Sequence, residues 1–384
     1  IPQDSGPLGN LYREDILADA GITEAPATWA DYKTAAEAVR ANTDAYISNM
    51  APNQGAGWLG LLWQAGVKPF AFDGGENVTI NVNSPEAKEV MAYWQDMIQS
   101  DLVSTDPDFT DEWYAGLNQG KYAGWLTAAW APVFLSGAAA DTSGLWRAAP
   151  LPQWDANNPA SGNWGGSADA VVKTSENPIA AYELAKWINH AQEPALLFAT
   201  QQNFFPTANS VLEDPAFAGA EPEFYGGQKV NELFAEISTT VDPDWQWLPF
   251  MEFAYTNFNE TFGAEVAAHG DLGAGLDAWQ DALVAYAEQQ GLARRAQHVA
   301  RPEGPALARR RLLGPAGPGV QPEAVGEVGG TVVLSAGDVH VQRAQRAQPH
   351  LDPLLLAIVE GDVLEGVEVE VGLELAVDDR QHVA

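Results

Sequence analysis

Aromatic residues are confined to one part of this chain, and that confinement decides where a core can form. All 14 Trp, 14 Phe and 10 Tyr fall within residues 1–291. Residues 292–384 hold none of them, and no Asn, Lys or Met either. Large rings are the most effective core-filling side chains, so a segment without them has little to bury. The last part is built mostly from Ala, Gly, Val, Leu, Pro, Arg, Glu, Asp, Gln and His, as in "LARRAQHVARPEGPALARRRLLGPAGPGV". These are amino acids of GC-rich codons, the usage expected when GC-rich DNA is read out of frame or on the wrong strand. We therefore expect residues 292–384 to be a non-native or disordered tail without a role in the main function. The alternative is a small β appendage, since "VEVEVGLELAV" alternates with period two.

Residues 1–291 read as globular. Hydrophobic residues are 46% of the whole chain, charged ones 18%, and there is no Cys, which excludes disulfides, thiolate metal sites and a Cys nucleophile. The formal charge of −33 repels nucleic acid and anionic membrane surfaces. No stretch approaches the roughly 18 apolar residues of a membrane span.

Strands alternate with helices along this body, which predicts an α/β class. "NLYREDILADAGI" reads as a strand entering a helix that stops at Gly21. In "APATWADYKTAAEAVRAN", Thr28 is the predicted N-cap, with Asp31 three residues on and Trp29, Tyr32, Ala35, Ala36 and Val39 on one face. "DAYISNMAP" is predicted as a strand. Ser84 caps a long helix with Pro85 in its first turn. A further helix is predicted to begin just after Ser175.

This order of elements resembles the extracellular solute-binding proteins of bacterial sugar ABC importers, the maltose-binding-protein-like family 1. "IPQDSGPLGNLYREDILADAGI…PATWADYKTAAEAV" is similar to the first hinge crossing, the start of the second lobe and the "P-x-T-W-x-x-Y" helix. "GWLGLLWQAG…FDGG" is similar to the ligand-side helix and its following turn. "LNQGKYAGWLTAAWAPVFL" and "LPQW…GNWGGSADAVVKTSENPIAAYELAKWI" match later family segments. Each motif is weak alone; their shared order over residues 1–291 is specific.

The resemblance implies a two-lobe, type II periplasmic-binding-protein-like α/β fold. Its first lobe is expected to be largely missing, so the chain reads as N-terminally truncated, with a non-homologous C-terminal tail. The implied domains are a hinge crossing at 1–7, a second lobe at 8–158 and 212–291, and a first-lobe remnant at 159–211. It also implies an extracytoplasmic location (periplasmic, or a cell-surface lipoprotein whose signal is absent from this sequence), a membrane permease partner, a monomeric state, no cofactor and no chemical turnover.

Sugar rings stack their C–H faces on aromatics and offer hydroxyls to carboxylates and amides. By family position Trp130, between a strand and a helix N-terminus, is a stacking residue. Trp164 sits among Gly162, Gly165 and Gly166, where a ring lacks neighbours to form a core, so ligand contact is expected for Trp164, Gly165 and Gly166. Gln3 and Asp4 stand at the hinge crossing, although "QDSGP" is also turn chemistry. Asn53, Gln54 and Trp58 are expected along the second-lobe wall. Trp245 or Trp247, Glu252 and Tyr255 gather near the last crossing. Lys68, Lys121 and Arg147 form no cluster in sequence, which favours a neutral mono- or oligosaccharide over an anion. Three alternatives stay open: the same fold binding a polyamine, peptide or metal ion; a carbohydrate-active hydrolase, which needs two carboxylates across one bond; and a chain that lacks one cleft wall and binds nothing.

Overall fold

The computed structural model describes residues 1–202 and 204–294. Its first element, β1 (Pro2–Arg13), runs for 12 residues, so the hinge segment and the following strand are one continuous strand. From Gly9 to Tyr12 it pairs antiparallel with two strands at once; over Pro2–Pro7 it pairs with a third. Small residues permit this crowding. At Gly9 a Cβ would lie 2.8 Å from the ring of Phe234.

Two helices follow, α1 (Glu14–Asp19) and α2 (Trp29–Asn42). The Thr28 hydroxyl accepts from the Asp31 N–H at 3.1 Å, the cap that the sequence predicts; such a cap contributes about 1 kcal/mol. Trp29, Tyr32, Ala35, Ala36 and Val39 are all buried, as their spacing predicts. Residues 44–52 differ from expectation. They make isolated bridges, Tyr46 to Tyr122 and Asn49 to Ser104, and no ladder. Their apolar alternation is satisfied by side-chain burial, with Ala45, Ile47 and Met50 in the core.

Next come α3 (Gly55–Gln64), β2 (Phe70–Phe72), β3 (Asn77–Ile80) and α4 (Pro85–Gln99). Ser84 caps α4 through the Ala87 N–H at 3.1 Å, with Pro85 in the first turn. The chain continues through α5 (Asp111–Gln119), β4 (Gly124–Ala128), α6 (Ala131–Ala138), β5 (Trp146–Pro150) and β6 (Asn163–Ala168). β4 and β5 flank the second half of β1, and β6 pairs with its first half. The remaining helices are α7 (Pro178–His190), α8 (Gln192–Gln201), α9 (Asn209–Leu212), α10 (Pro215–Ala218), α11 (Val230–Ser238), α12 (Met251–Glu260), α13 (Phe262–Ala268) and α14 (Leu272–Gln289). The helix expected after Ser175 begins at Pro178, where Pro supplies the fixed φ of a first turn.

The last described strand, β7 (Ala293–Arg294), pairs parallel with β3. The compositional change near Gly291 therefore lies just inside the described fold. The expectations for residues 295–384, including the alternating "VEVEVGLELAV" segment, lie outside the described residues.

Two hydrophobic clusters organise the body. One gathers Trp29, Trp58, Trp94, Phe258 and Trp279 from α2, α3, α4, α12 and α14. The other joins Leu11, Trp113, Trp125 and Trp146 to Ala195, Phe205, Phe217 and Phe234. Burying each such ring stabilises the fold by about 2–3 kcal/mol. No helix among the described residues is long and apolar enough to cross a membrane.

Candidate functional site

The recess lies where β1, β4, β6 and α3 converge. Its walls include Leu8, Asn49, Met50, Gln54, Gly57, Trp58, Asp108, Trp125 and Trp164, and the cavity between them is about 30 Å³. Glycines build this convergence. A Cβ on Gly162 would sit 1.9 Å from the Gly60 carbonyl oxygen, and one on Gly6 would sit 2.1 Å from the Trp164 carbonyl oxygen. No side chain larger than hydrogen permits α3, β1 and β6 to approach this closely.

Trp130 and Trp164 form the aromatic centre. The Trp130 indole Nε1 donates to the Trp164 carbonyl at 2.7 Å. The rings meet edge to face, 5.2 Å apart and inclined at 82°, an arrangement favoured by aromatic quadrupoles. Trp130 is half-buried. Trp164 is only 8% exposed and belongs to the core cluster, which corrects the expectation that a ring between glycines lacks core neighbours. The glycine of another segment supplies the space: Gly57 on α3 packs beside its six-membered ring.

Two aromatic side chains absent from the sequence reading complete the surface. Phe134 on α6 is 48% exposed and Phe109 is 37% exposed. Their ring centres lie 5.7 Å and 6.4 Å from that of Trp130. Behind them Trp113 and Trp125 are buried. The one legible signal for Phe109 is its place immediately before Thr110, whose hydroxyl caps α5 by accepting from the Trp113 N–H at 3.2 Å.

Asp108 contributes the carboxyl of the recess and is buried. Burial pushes its pKa up to about 7, and the nearby Asp106 charge adds to this, while the hydrogen bond from Asn49 opposes it. The Asn49 amide donates to the Asp108 carboxylate at 2.6 Å. The Gln54 side chain lines the recess at the start of α3.

The other sequence candidates divide. Trp58 lines the recess from inside the core: it is 3% exposed, donates Nε1 to the Ala51 carbonyl at 2.9 Å, and packs edge-on against Trp94 and Phe262. Asn53 points both ends of its amide at the backbone of Asp108, so its polar atoms are engaged within the protein. Gly165 and Gly166 adopt φ of 76° and 122°, conformations that favour glycine. Gly165 lies beside the Trp130 indole, and Gly166 pairs with Ser5 of β1.

Gln3 and Asp4 stand elsewhere on the β1–β6 ladder. The Asp4 carboxyl accepts from the Ser167 hydroxyl, and burial raises its pKa despite that bond. Gln3 lines a separate small hollow with Asn189, Phe198 and Phe204. Trp245 stacks on Trp63 with centroids 4.5 Å apart, and Trp247 meets Trp63 edge-on. Glu252 is exposed, and Tyr255 packs against the core from α12. None of these last four lines the recess.

Every basic side chain weighed in the sequence is paired. Lys68 meets Asp242 at 2.8 Å, Arg147 meets Glu14 at 2.6 Å, and Lys121 meets Asp106. No cationic side chain lines the recess among the described residues.

The family model for bacterial extracellular solute-binding proteins matches residues 1–192. A solved ABC-transporter-associated binding protein of B. animalis subsp. lactis, in complex with β-1,6-galactobiose, is 30% identical, with a TM-score of 0.70 over 77% of this chain and 75% of that one. The galacto-N-biose/lacto-N-biose I-binding protein of Bifidobacterium longum, in complex with lacto-N-biose, is 26% identical, with a TM-score of 0.67 over 77% and 72% of the two chains. Among curated proteins, the arabinooligosaccharide-binding protein of Bacillus subtilis is 26% identical over 48% of this chain, and the lactose-binding protein of Rhizobium radiobacter is 25% identical over 62%. The chain spans only 42% and 56% of the lengths of these two relatives.

Proposed function

Because this chain belongs to the bacterial extracellular solute-binding proteins, with their type II periplasmic-binding-protein-like fold, we propose that the aromatic surface beside its recess captures a neutral mono- or oligosaccharide for an ABC importer. Capture proceeds by ring stacking and hydrogen bonding, without turnover. One observation carries the reading. Exposed Phe109 and Phe134 surround the half-buried Trp130 beside a recess lined by Gln54 and Asp108 and by no cation. A sugar needs that combination; a phosphate or carboxylate ligand needs the cation. The solved relatives in complex with galactobiose and lacto-N-biose support the same class. The proposal places the protein outside the cytoplasmic membrane, where it delivers its ligand to a permease.

The alternatives fare less well physically. A polyamine wants ionised carboxylates facing it, whereas burial favours the neutral form of Asp108. A hydrolase needs two carboxyl groups across one bond, and the recess lining contains Asp108 alone.

We propose that residues 159–211 belong to the first lobe. Val172, Ile179, Tyr182, Leu184, Trp187 and Leu197 all lie in this segment and are at least 45% exposed. Apolar exposure of this extent suits a surface that further elements of the same lobe cover.

Calorimetric titration with β-1,6-galactobiose, lacto-N-biose and putrescine tests the function. Saturable heat with a neutral disaccharide and no released monosaccharide supports it. Saturation by putrescine alone, or product release, overturns it.

A further inference from the structure

We infer that Asn49 and Asn53 are positioning residues: their two side-chain amides clasp the backbone at Asp106 and Asp108 and thereby hold the ring of Phe109 beside Trp130. The inference rests on the sugar-binding reading for its consequence, but not for its geometry.

The two asparagines are four residues apart in the segment leading into α3. Each behaves like a short strand edge. The Asn49 amide donates to the Asp106 carbonyl at 2.9 Å, and its oxygen accepts from the Asp106 N–H at 2.9 Å. The Asn53 amide donates to the Asp108 carbonyl at 3.1 Å, and its oxygen accepts from the Asp108 N–H at 3.0 Å. Asn49 also holds the buried Asp108 carboxyl. A loop that would otherwise leave these backbone groups unpaired is thus bound at alternate residues.

Phe109 comes immediately after the clasp, and its φ is +64°. Left-handed backbone is strained for any residue with a Cβ, and is rare for an aromatic one. Core burial does not explain the strain, because Phe109 is 37% exposed. The conformation instead turns the ring towards Trp113, Trp125 and Trp130. Strain over-determined by neighbouring bonds is a mark of functional placement. Asn53 therefore acts through Phe109 and does not itself need to touch a ligand.

The test uses the full chain with 4-fluorophenylalanine at position 109 and reads two signals. The first is the ¹⁹F resonance. Ring currents from the neighbouring indoles displace it from the free value in the parent protein; Asn53→Ala and Asn49→Ala move it back towards that value. Asn83→Ala, which loses a hydrogen bond to Asp277 far from the recess, leaves it in place. The second signal is affinity for β-1,6-galactobiose. Asn53→Ala weakens it by about tenfold in the parent and less than about twofold in a Phe109→Ala background, since contacting residues couple and independent ones add. A merely structural asparagine would lower stability without this coupling.

An unmoved ¹⁹F resonance in Asn53→Ala, or additive affinity losses, overturns the inference. If the parent binds none of β-1,6-galactobiose, lacto-N-biose or maltose, the sugar reading fails, and the ¹⁹F shift still decides the clasp. Should Asn53→Ala not fold, Asn53→Asp keeps the acceptor for the Asp108 N–H and loses the donor. It is expected to shift the resonance partway, and an unchanged shift counts against the clasp.

Discussion

Trp130 is bonded to Trp164, donating its indole N–H to the Trp164 carbonyl at 2.7 Å while the two rings meet edge to face. The bond ties the loop before α6 to the strand β6. The same contact leaves the Trp130 ring half-buried beside exposed Phe109 and Phe134.

Removing parts of Trp130 should separate stacking from positioning. Trp130→Phe keeps a ring and loses the hydrogen bond, so sugar affinity should fall by about tenfold. Trp130→Ala loses both, and the fall should be about thirtyfold or more. Calorimetry on the folded variants checks this order; equal affinities for both would remove Trp130 from the site.

Strain at Phe109 is measurable through small residues. At an ordinary φ, Ala is more stable than Gly. At a φ of +64° the order should reverse, with Phe109→Gly more stable than Phe109→Ala by about 1 kcal/mol. Urea unfolding of the two variants gives the comparison directly. Ala as the more stable residue would mean that the left-handed conformation is absent in solution.

Asp108 should give stability a pH dependence of definite sign. Its pKa is 3.8 when unfolded and is pushed up to about 7 by burial in the fold. Between these values the folded state binds the extra proton, so the stability contributed by this group falls as pH rises through that window. The burden is absent below about pH 4 and complete above about pH 7. Asp108→Asn is uncharged and of the same shape. It should be more stable than the parent by about 4 kcal/mol at pH 8, with the gap closing near pH 4. Unfolding curves at both pH values test this; a gap that is the same at pH 4 and pH 8 would assign it to packing.

Close backbone approach makes Gly162 intolerant of any side chain. Gly162→Ala places a Cβ 1.9 Å from the Gly60 carbonyl oxygen, where only backbone movement relieves the clash, and should cost about 3 kcal/mol. Gly57→Ala meets only side-chain atoms of the Trp164 ring, at 3.3 Å, and should cost less than about 1 kcal/mol. Thermal unfolding of the pair measures the contrast.

Much of the fold is readable from short windows of sequence. Thr28 and Ser84 announce helix starts because a cap is made within three residues of its own position. The buried face of α2 follows from helical periodicity alone. Trp130 is identifiable as a residue between a strand and a helix start, because both flanking elements are local. The α/β class follows from the alternation of such windows.

What the windows do not contain is partnership across the chain. Asn53 reads as a polar wall residue, yet the backbone of Asp108, 55 positions away, takes both ends of its amide. Trp58 reads equally as wall or core and Trp164 as a ligand contact; both line the recess, and close packing against other segments leaves them only 3% and 8% exposed. Phe109 carries no periodic signal, and its exposure depends on a left-handed turn held by residues of another segment. The sequence by itself determined the aromatic body, its helix caps and the family to which it belongs. Only the tertiary structure decided which rings face the recess, because burial is settled by long-range packing and backbone hydrogen bonding and not by the chemistry of a residue's neighbours in the chain.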